Sequence, residues 1–360
     1  MPTTATADLA LDLRHVAKTY GRKVHALRGI DMRVGRGEIF GLLGPNGAGK
    51  STLVKILMTV IRPTRCEGTM LGAPVGHKPT LARVGYLPEH HRFPDYLSGA
   101  QVLDFYAALC GVPRADRRKR IPVLLDLVDM TDWAKQKVKS YSKGMRQRIG
   151  LAQALMNDPE IVLLDEPTDG VDPVGRRDIR RILQRLRAEG TTVFINSHIL
   201  SELEMVCDRV AILVQGSVAS QGTVQALTKD QERFELELDG ADAHTVAHAI
   251  PGRIEAVPGA ALSQAIPETA EAALTHRGSL PSGEAVEILG KRLVIRTTDT
   301  ELIQPVIDAL RSAGIVIKSI RPMRPSLEDL FMQAVIDPIT GQPLHIGADK
   351  KSRKPKPSLN

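Results

Sequence analysis

The sequence predicts an α/β fold built on a largely parallel sheet, and three observations carry that expectation. Strand-like and helix-like segments alternate from Leu9 to about Leu227, the pattern of parallel strands joined by helices. Three of the four strongest strand segments are near-continuous apolar runs, as expected where both sheet faces are covered. The third is GPNGAGKST at Gly44 to Thr52, which fits the spacing GxxxxGK[ST] between an apolar strand and an amphipathic helix.

Glu38 to Leu43 (EIFGLL) reads as the strand that feeds this glycine loop, and the helix after it starts at about Lys50. Its apolar positions Leu53, Ile56, Leu57, Val60 and Ile61 recur at helical spacing and are expected to be buried. A glycine-rich loop at a helix N-terminus leaves backbone N–H groups free to hold phosphate. Gly44, Asn46, Gly47, Gly49 and Lys50 are therefore expected to wrap a nucleotide, with Gly47, Gly49 and Lys50 donating N–H groups. The Lys50 ammonium should reach the β- and γ-phosphates, Ser51 should ligate Mg²⁺, and Thr52 closes the loop.

Between Pro88 and Lys139 the character turns helical, with Ala100 to Leu109 and Ile121 to Val128 as expected helices, so a helical subdomain is placed at about 88–150. Ile161 to Leu164, Thr192 to Asn196 and Val210 to Val214 read as further buried strands of a first domain spanning 9–230. A small α+β domain, 231–336, follows. FELEL, LVIRT and GIVIKSI are its strands, and Glu301 to Ser312 and Ser326 to Ala334 its helices. Val257 to Glu284, rich in Ala, Pro, Gly and Ser, reads as a long loop or partly disordered insertion. Residues 337–360 read as a basic, disordered tail.

Composition narrows the function classes. Aromatic residues make up only 3% of the chain, which argues against a base-stacking nucleic-acid binder. The formal charge is +7, but Lys350, Lys351, Arg353, Lys354 and Lys356 supply five of it, so charge implies no nucleic-acid partner. The three cysteines are far apart with no CxxC pair, which disfavours a disulfide scaffold or zinc site and fits a reducing compartment. The N-terminus lacks the basic start and apolar core of a signal peptide. No apolar run approaches the ~18 residues that a membrane span needs.

A phosphate loop alone leaves many nucleotide enzymes open. Ile161 to Pro167 (IVLLDEP) adds an apolar strand ending in two adjacent carboxylates. In phosphoryl-transfer sites such a pair can divide the work, Asp165 holding Mg²⁺ through water and Glu166 polarising the attacking water. Thr192 to His198 (TVFINSH) puts a histidine at the end of another buried strand, where its imidazole could contact the γ-phosphate. Acid pairs at strand ends also arise by chance, and a lone histidine is more often structural.

With these residues in place the chain resembles the ATP-binding subunit of the ABC (ATP-binding cassette) transporter family over roughly residues 9 to 230. The motifs follow in the family's order: Tyr20 as the adenine-stacking aromatic, the phosphate loop, YLPE at Tyr86 to Glu89 in place of the glutamine loop, and YSKGMRQR at Tyr141 to Arg148 as the signature motif. LLDEP, TDGVDP at Thr168 to Pro173 (the D-loop) and His198 complete the set. The resemblance implies a P-loop NTPase core with a mostly parallel sheet, an antiparallel β part and a helical subdomain, using ATP and Mg²⁺. It implies two such subunits head to tail, as a homodimer, with Ser142 and Gly144 of one contacting the ATP of the other and Asp172 linking the half-sites. Ser142 and Gly144 precede the expected helix Met145 to Met156, so they can form a second anion cradle, although a serine there is also an ordinary N-cap.

Two departures stand out. Lys143 and Met145 replace the commoner glycine and glutamine of the signature, a form similar to that of the exporter branch with antibiotic-resistance ATPases. Glu89 puts a carboxylate where the family has glutamine. The resemblance implies a separate transmembrane permease partner and a position on the cytoplasmic face of the membrane. Its rivals are an importer subunit and an ABC ATPase acting on ribosomes or DNA. His90 and His91 beside Glu89, and His244 and His248 at i, i+4 spacing, could suggest metal sites but lack further ligands. Arg114 to Arg120 (RADRRKR) and the basic tail read as solvated faces or as contacts for anionic lipid.

Overall fold

The computed structural model describes residues 9–21, 23–229, 233–256, 274–323 and 327–335, which fall in two compact units dividing after Val224. The first opens with an antiparallel hairpin, β1 (Leu9–Tyr20) and β2 (Val24–Gly35), followed by β3 (Ile39–Leu43) and helix α1 (Lys50–Leu57). β4 (Arg65–Met70), β5 (Ala73–Pro74) and β6 (Val84–Leu87) lead into α2 (Gly99–Leu109), α3 (Arg114–Leu127) and α4 (Lys143–Ala154). β7 (Ile161–Asp165), α5 (Pro173–Ala188), β8 (Thr192–Ser197), α6 (Leu200–Val206), β9 (Arg209–Val214) and β10 (Ser217–Thr223) complete the series, and α7 (Val224–Lys229), apart from its first residue, falls in the second unit.

The central sheet has the order β10-β9-β3-β8-β7-β6, parallel throughout except for β10. The second sheet, β2-β1-β4-β5, is antiparallel. Every residue of β3, β7 and β8 is buried, which explains their unbroken apolar runs. Phe40, Leu42, Leu163 and Phe194 of the parallel sheet share one core with Leu11, Leu13, Ile30 and Met32 of the antiparallel one and with Leu53, Ile56 and Leu57 of α1. Phe40 and Phe194, register partners on β3 and β8, stack with ring centroids 5.8 Å apart.

The helix after the glycine loop is shorter than its apolar pattern suggests. Thr59 takes a left-handed φ of 58° and turns the chain, so Val60 is 69% exposed and Ile61 only half-buried. Helix α3 begins at Arg114, not Ile121, and so carries the basic run RADRRKR in its first half.

The second unit contains β11 (Arg233–Asp239), α8 (Ala243–Ala249), β12 (Arg253–Ala256), β13 (Leu274–Ser279), β14 (Ala285–Leu289), β15 (Arg292–Ile295), α9 (Thr300–Ser312), β16 (Val316–Met323) and α10 (Leu327–Val335). Its antiparallel sheet runs β12-β13-β14-β15-β11-β16 around a core of Leu236, Val286, Ile288, Leu293, Val306 and Leu310. The expected loop at 257–284 is corrected in part. Leu274–Ser279 is a strand paired on both sides, because cross-strand pairing rescues a segment with weak β propensity. Residues 257–273 and the tail after Asp337 lie outside the described residues.

Candidate functional site

Strands β3, β8 and β7 lie side by side and parallel, so Leu43, Ser197 and Asp165 arrive together at the carboxyl edge of the sheet, where open α/β sheets bind ligands. The loop leaving β3 turns tightly into α1. Its Gly47 has φ 82° and Gly49, the N-cap of α1, has φ 110°. A Cβ on Gly49 would lie 2.5 Å from the carbonyl oxygen of Ala26, so only glycine lets the loop pass this close to β2.

Lys50 is buried, and its Nζ donates to the carbonyl oxygens of Gly44 at 2.6 Å and Pro45 at 3.4 Å. Burial pushes its pKa down, while Glu166, Asp165 and Glu89 oppose that shift. Asp165 closes β7 at only 3% exposure. Burial first, and then the charge of Glu89, raise its carboxyl to about 6, with the amide of Asn196 acting in the opposite direction.

Glu166 leaves the strand in the left-handed region, φ 52°, a conformation that costs an L residue about 1–2 kcal/mol. Two bonds hold it there: its N–H donates to Asn196 O at 2.8 Å, and its Oε2 accepts from His198 N at 3.3 Å. The same oxygen lies 2.8 Å from His198 Nδ1, and the His198 ring is half exposed. A cleft of about 290 Å³ opens above these groups, lined by Ala26, the loop residues Asn46, Gly47 and Gly49 to Thr52, and by Glu89, Glu166, Asp169 and His198.

Comparison with known proteins gives the geometry its family. Residues 27–169 match the ABC transporter family model. The chain is 39% identical to an ABC transporter ATP-binding protein of Synechocystis sp. over 87% of its length and 79% of the relative's. It is 33% identical to the daunorubicin resistance ATP-binding protein DrrA3 of Streptomyces coeruleorubidus, covering 92% of this chain and 97% of that one. The chain belongs to the ABC transporter ATP-binding family. Nod factor export ATP-binding protein I of a Rhizobium species is 31% identical over 90% of this chain and 96% of its own. Among solved structures, cbiO1 of Clostridium perfringens superposes with a TM-score of 0.57 at 28% identity, covering 62% of this chain and 92% of that one. A dimeric ATP-binding cassette in a post-hydrolysis state bound to ADP and Pi gives a TM-score of 0.54 at 25% identity, over 59% and 98%. This chain is therefore an ATP-binding ABC ATPase with a mixed α/β cassette, and no helix among its described residues is long and apolar enough to cross a membrane.

The remaining family positions fall outside the cleft lining. In the signature motif, Ser142 is the N-cap of α4, its Oγ accepting from Met145 N at 3.2 Å, and Gly144 sits in the first turn near Val171. Asp172 caps α5, its Oδ1 accepting from Gly175 N at 2.7 Å. Tyr20 ends β1, is 39% exposed as a residue and has the Lys18 ammonium 4.9 Å from its ring centroid. The unusual Lys143 pairs with Asp169 at 2.8 Å and so ties the signature motif to a cleft-lining residue of the same chain. His91 contacts the carbonyls of Pro88 and Arg146, and no group of three His, Cys, Asp or Glu side chains among the described residues is set to hold a metal.

The sequence reading missed Asp169 and Asn196. Asp169 gives no signal of its own. Asn196 does: it is the one amide in TVFINS, a strand otherwise suited to burial, two residues upstream of His198.

Proposed function

We propose that this ABC ATPase powers export through a separate membrane-spanning partner, with two cassettes closing over ATP. The observation that carries the two-cassette reading is the separation of the phosphate-binding features. The cleft of about 290 Å³ lies at the lower edge of the ~300–1,000 Å³ of ligand pockets. Ser142 and Gly144, at the positive end of α4, are not among its lining residues and are free to serve the cleft of a second copy. Export is favoured by the relatives whose names denote drug resistance and Nod factor export, because their similarity extends over both units.

In this reading Gly47, Gly49 and Lys50 present N–H groups to the phosphates, and the Lys50 ammonium balances their charge. Glu166 holds the attacking water and takes its proton. His198 holds the γ-phosphate, and its Nδ1 lies 2.8 Å from Glu166 Oε2. Tyr20 stacks on adenine once Lys18 leaves its ring, and Asp172 links the two half-sites.

The site fits Mg²⁺ chemically. Glu89, Asp165 and Glu166 outweigh Lys50 in charge, burial and the charge of Glu89 raise the Asp165 carboxyl to about 6, and the available donors are carboxylate and hydroxyl oxygens. Ser51 would ligate the ion directly and Asp165 through water; when bound, it neutralises charge on the phosphates. Glu89 adds a third negative charge that a glutamine would not. Its loop and the helical part would transmit closure to the permease on the cytoplasmic face.

Purification of the full chain from detergent extract tests the assignment. A stoichiometric multi-span membrane protein is expected, and rRNA or DNA in its place would overturn the transport reading. For the two-cassette site, Glu166→Gln with ATP should elute as a dimer and the parent as a monomer; an ATP-independent monomer in both would refute it.

A further inference from the structure

Asn196 is fully buried near the carboxyl end of β8, register partner of Asp165 on β7 and of Leu42 on β3. Its Nδ2 donates to Asp165 Oδ1; the orientation of the amide follows because an ionised carboxylate can only accept. Its backbone carbonyl accepts from the N–H of Glu166, the residue held at φ 52°. One residue thus grips both acids of the site from the same strand position.

The other end of the amide has no structural use. Asn196 Oδ1 is buried without a partner, and a buried polar atom left unpaired opposes folding. The neighbouring side chain on the same face of β8, Phe194, belongs to the apolar core. An aliphatic residue at 196 would continue that core, so what the amide adds at this position is its bond to the Asp165 carboxylate.

We propose that Asn196 is a positioning residue for Mg²⁺-dependent nucleotide binding, fixing the Asp165 carboxylate on the metal side of the cleft while its backbone carbonyl sets the turn that presents Glu166. The inference rests on the assignment of Asp165 to the Mg²⁺ shell. Groups that orient metal ligands in this way are worth about 10–100-fold in metal affinity or activity. The carbonyl contact survives any substitution at 196, so a variant isolates the side chain's contribution.

The test uses full-length Asn196→Leu, which keeps the branched heavy-atom skeleton of the parent residue without its polar atoms, and Asn196→Ser, which stays polar but is too short to reach Asp165. Affinity for a fluorescent ATP analogue is measured in EDTA and across a Mg²⁺ titration, with thermal melting as the check on folding and Asp165→Asn as control. Both Asn196 variants should bind the analogue as the parent does in EDTA, while the Mg²⁺ concentration for half-maximal enhancement rises 10–100-fold. If Asp165→Asn shifts that midpoint and folded Asn196 variants do not, the positioning role is overturned. If Asp165→Asn leaves it unmoved, the assignment of Asp165 fails, and the role of Asn196 with it.

Discussion

Replacing Asp165 with Asn in the nucleotide-free protein should stabilise it at neutral pH. The carboxyl is raised from its ordinary 3.8 to about 6, first by burial, so the folded state binds the proton more tightly than the unfolded chain. A group raised in this way favours folding below its unfolded value, and that contribution is lost as pH rises through the folded one. Above about pH 7, Asp165 must ionise in a buried site beside Glu89 and Glu166. The gap between 3.8 and about 6, at 1.36 kcal/mol per pH unit, sets this destabilisation at about 3 kcal/mol. At pH 4.5 the same relation leaves about 1 kcal/mol, since little of the folded-state carboxyl is then ionised. The isosteric amide removes the penalty and keeps a partner for Asn196. At roughly 2–4 °C per kcal/mol for a unit of this size, the gain is about 6–12 °C near pH 7.5 and about one third of that near pH 4.5. The assay is a thermal melt in EDTA without nucleotide, followed by the fluorescence of the single tryptophan, Trp133, which lies in the first unit. A variant that melts at or below the parent near pH 7.5, or gains equally at both pH values, would refute the linkage.

Other substitutions probe the site separately. Glu166→Gln should lower ATP turnover by about 10²–10⁴, the usual contribution of a general base, with nucleotide affinity kept; a phosphate-release assay showing near-parent turnover removes Glu166 from that role. Gly49→Ala places a Cβ against the Ala26 carbonyl at φ 110° and should abolish nucleotide binding in a direct titration, with unaltered binding contradicting the loop geometry. Ser142→Ala removes the α4 cap and should cost about 0.5–2 kcal/mol of stability. It should also reduce hydrolysis while sparing nucleotide binding by a single chain; parallel loss of both activities would count against a site shared between two copies.

The sequence by itself determined the cassette strands, the phosphate loop, the acid pair and His198, because each rests on local constraints. Burial on both faces requires the apolar runs of β3, β7 and β8, and the loop needs Gly47 and Gly49 at positive φ. Features set by distant partners were not legible. Helix α1 looked longer than it is because its apolar spacing continues past the turn at Thr59. β13 looked like loop because its stability comes from β12 and β14. Only the tertiary structure decided that Asn196 on β8 meets Asp165 on β7, that Lys143 meets Asp169, and that the signature serine lies off the cleft of its own chain. These relations depend on which strands and loops become neighbours, and no spacing along the chain encodes a contact made across the sheet.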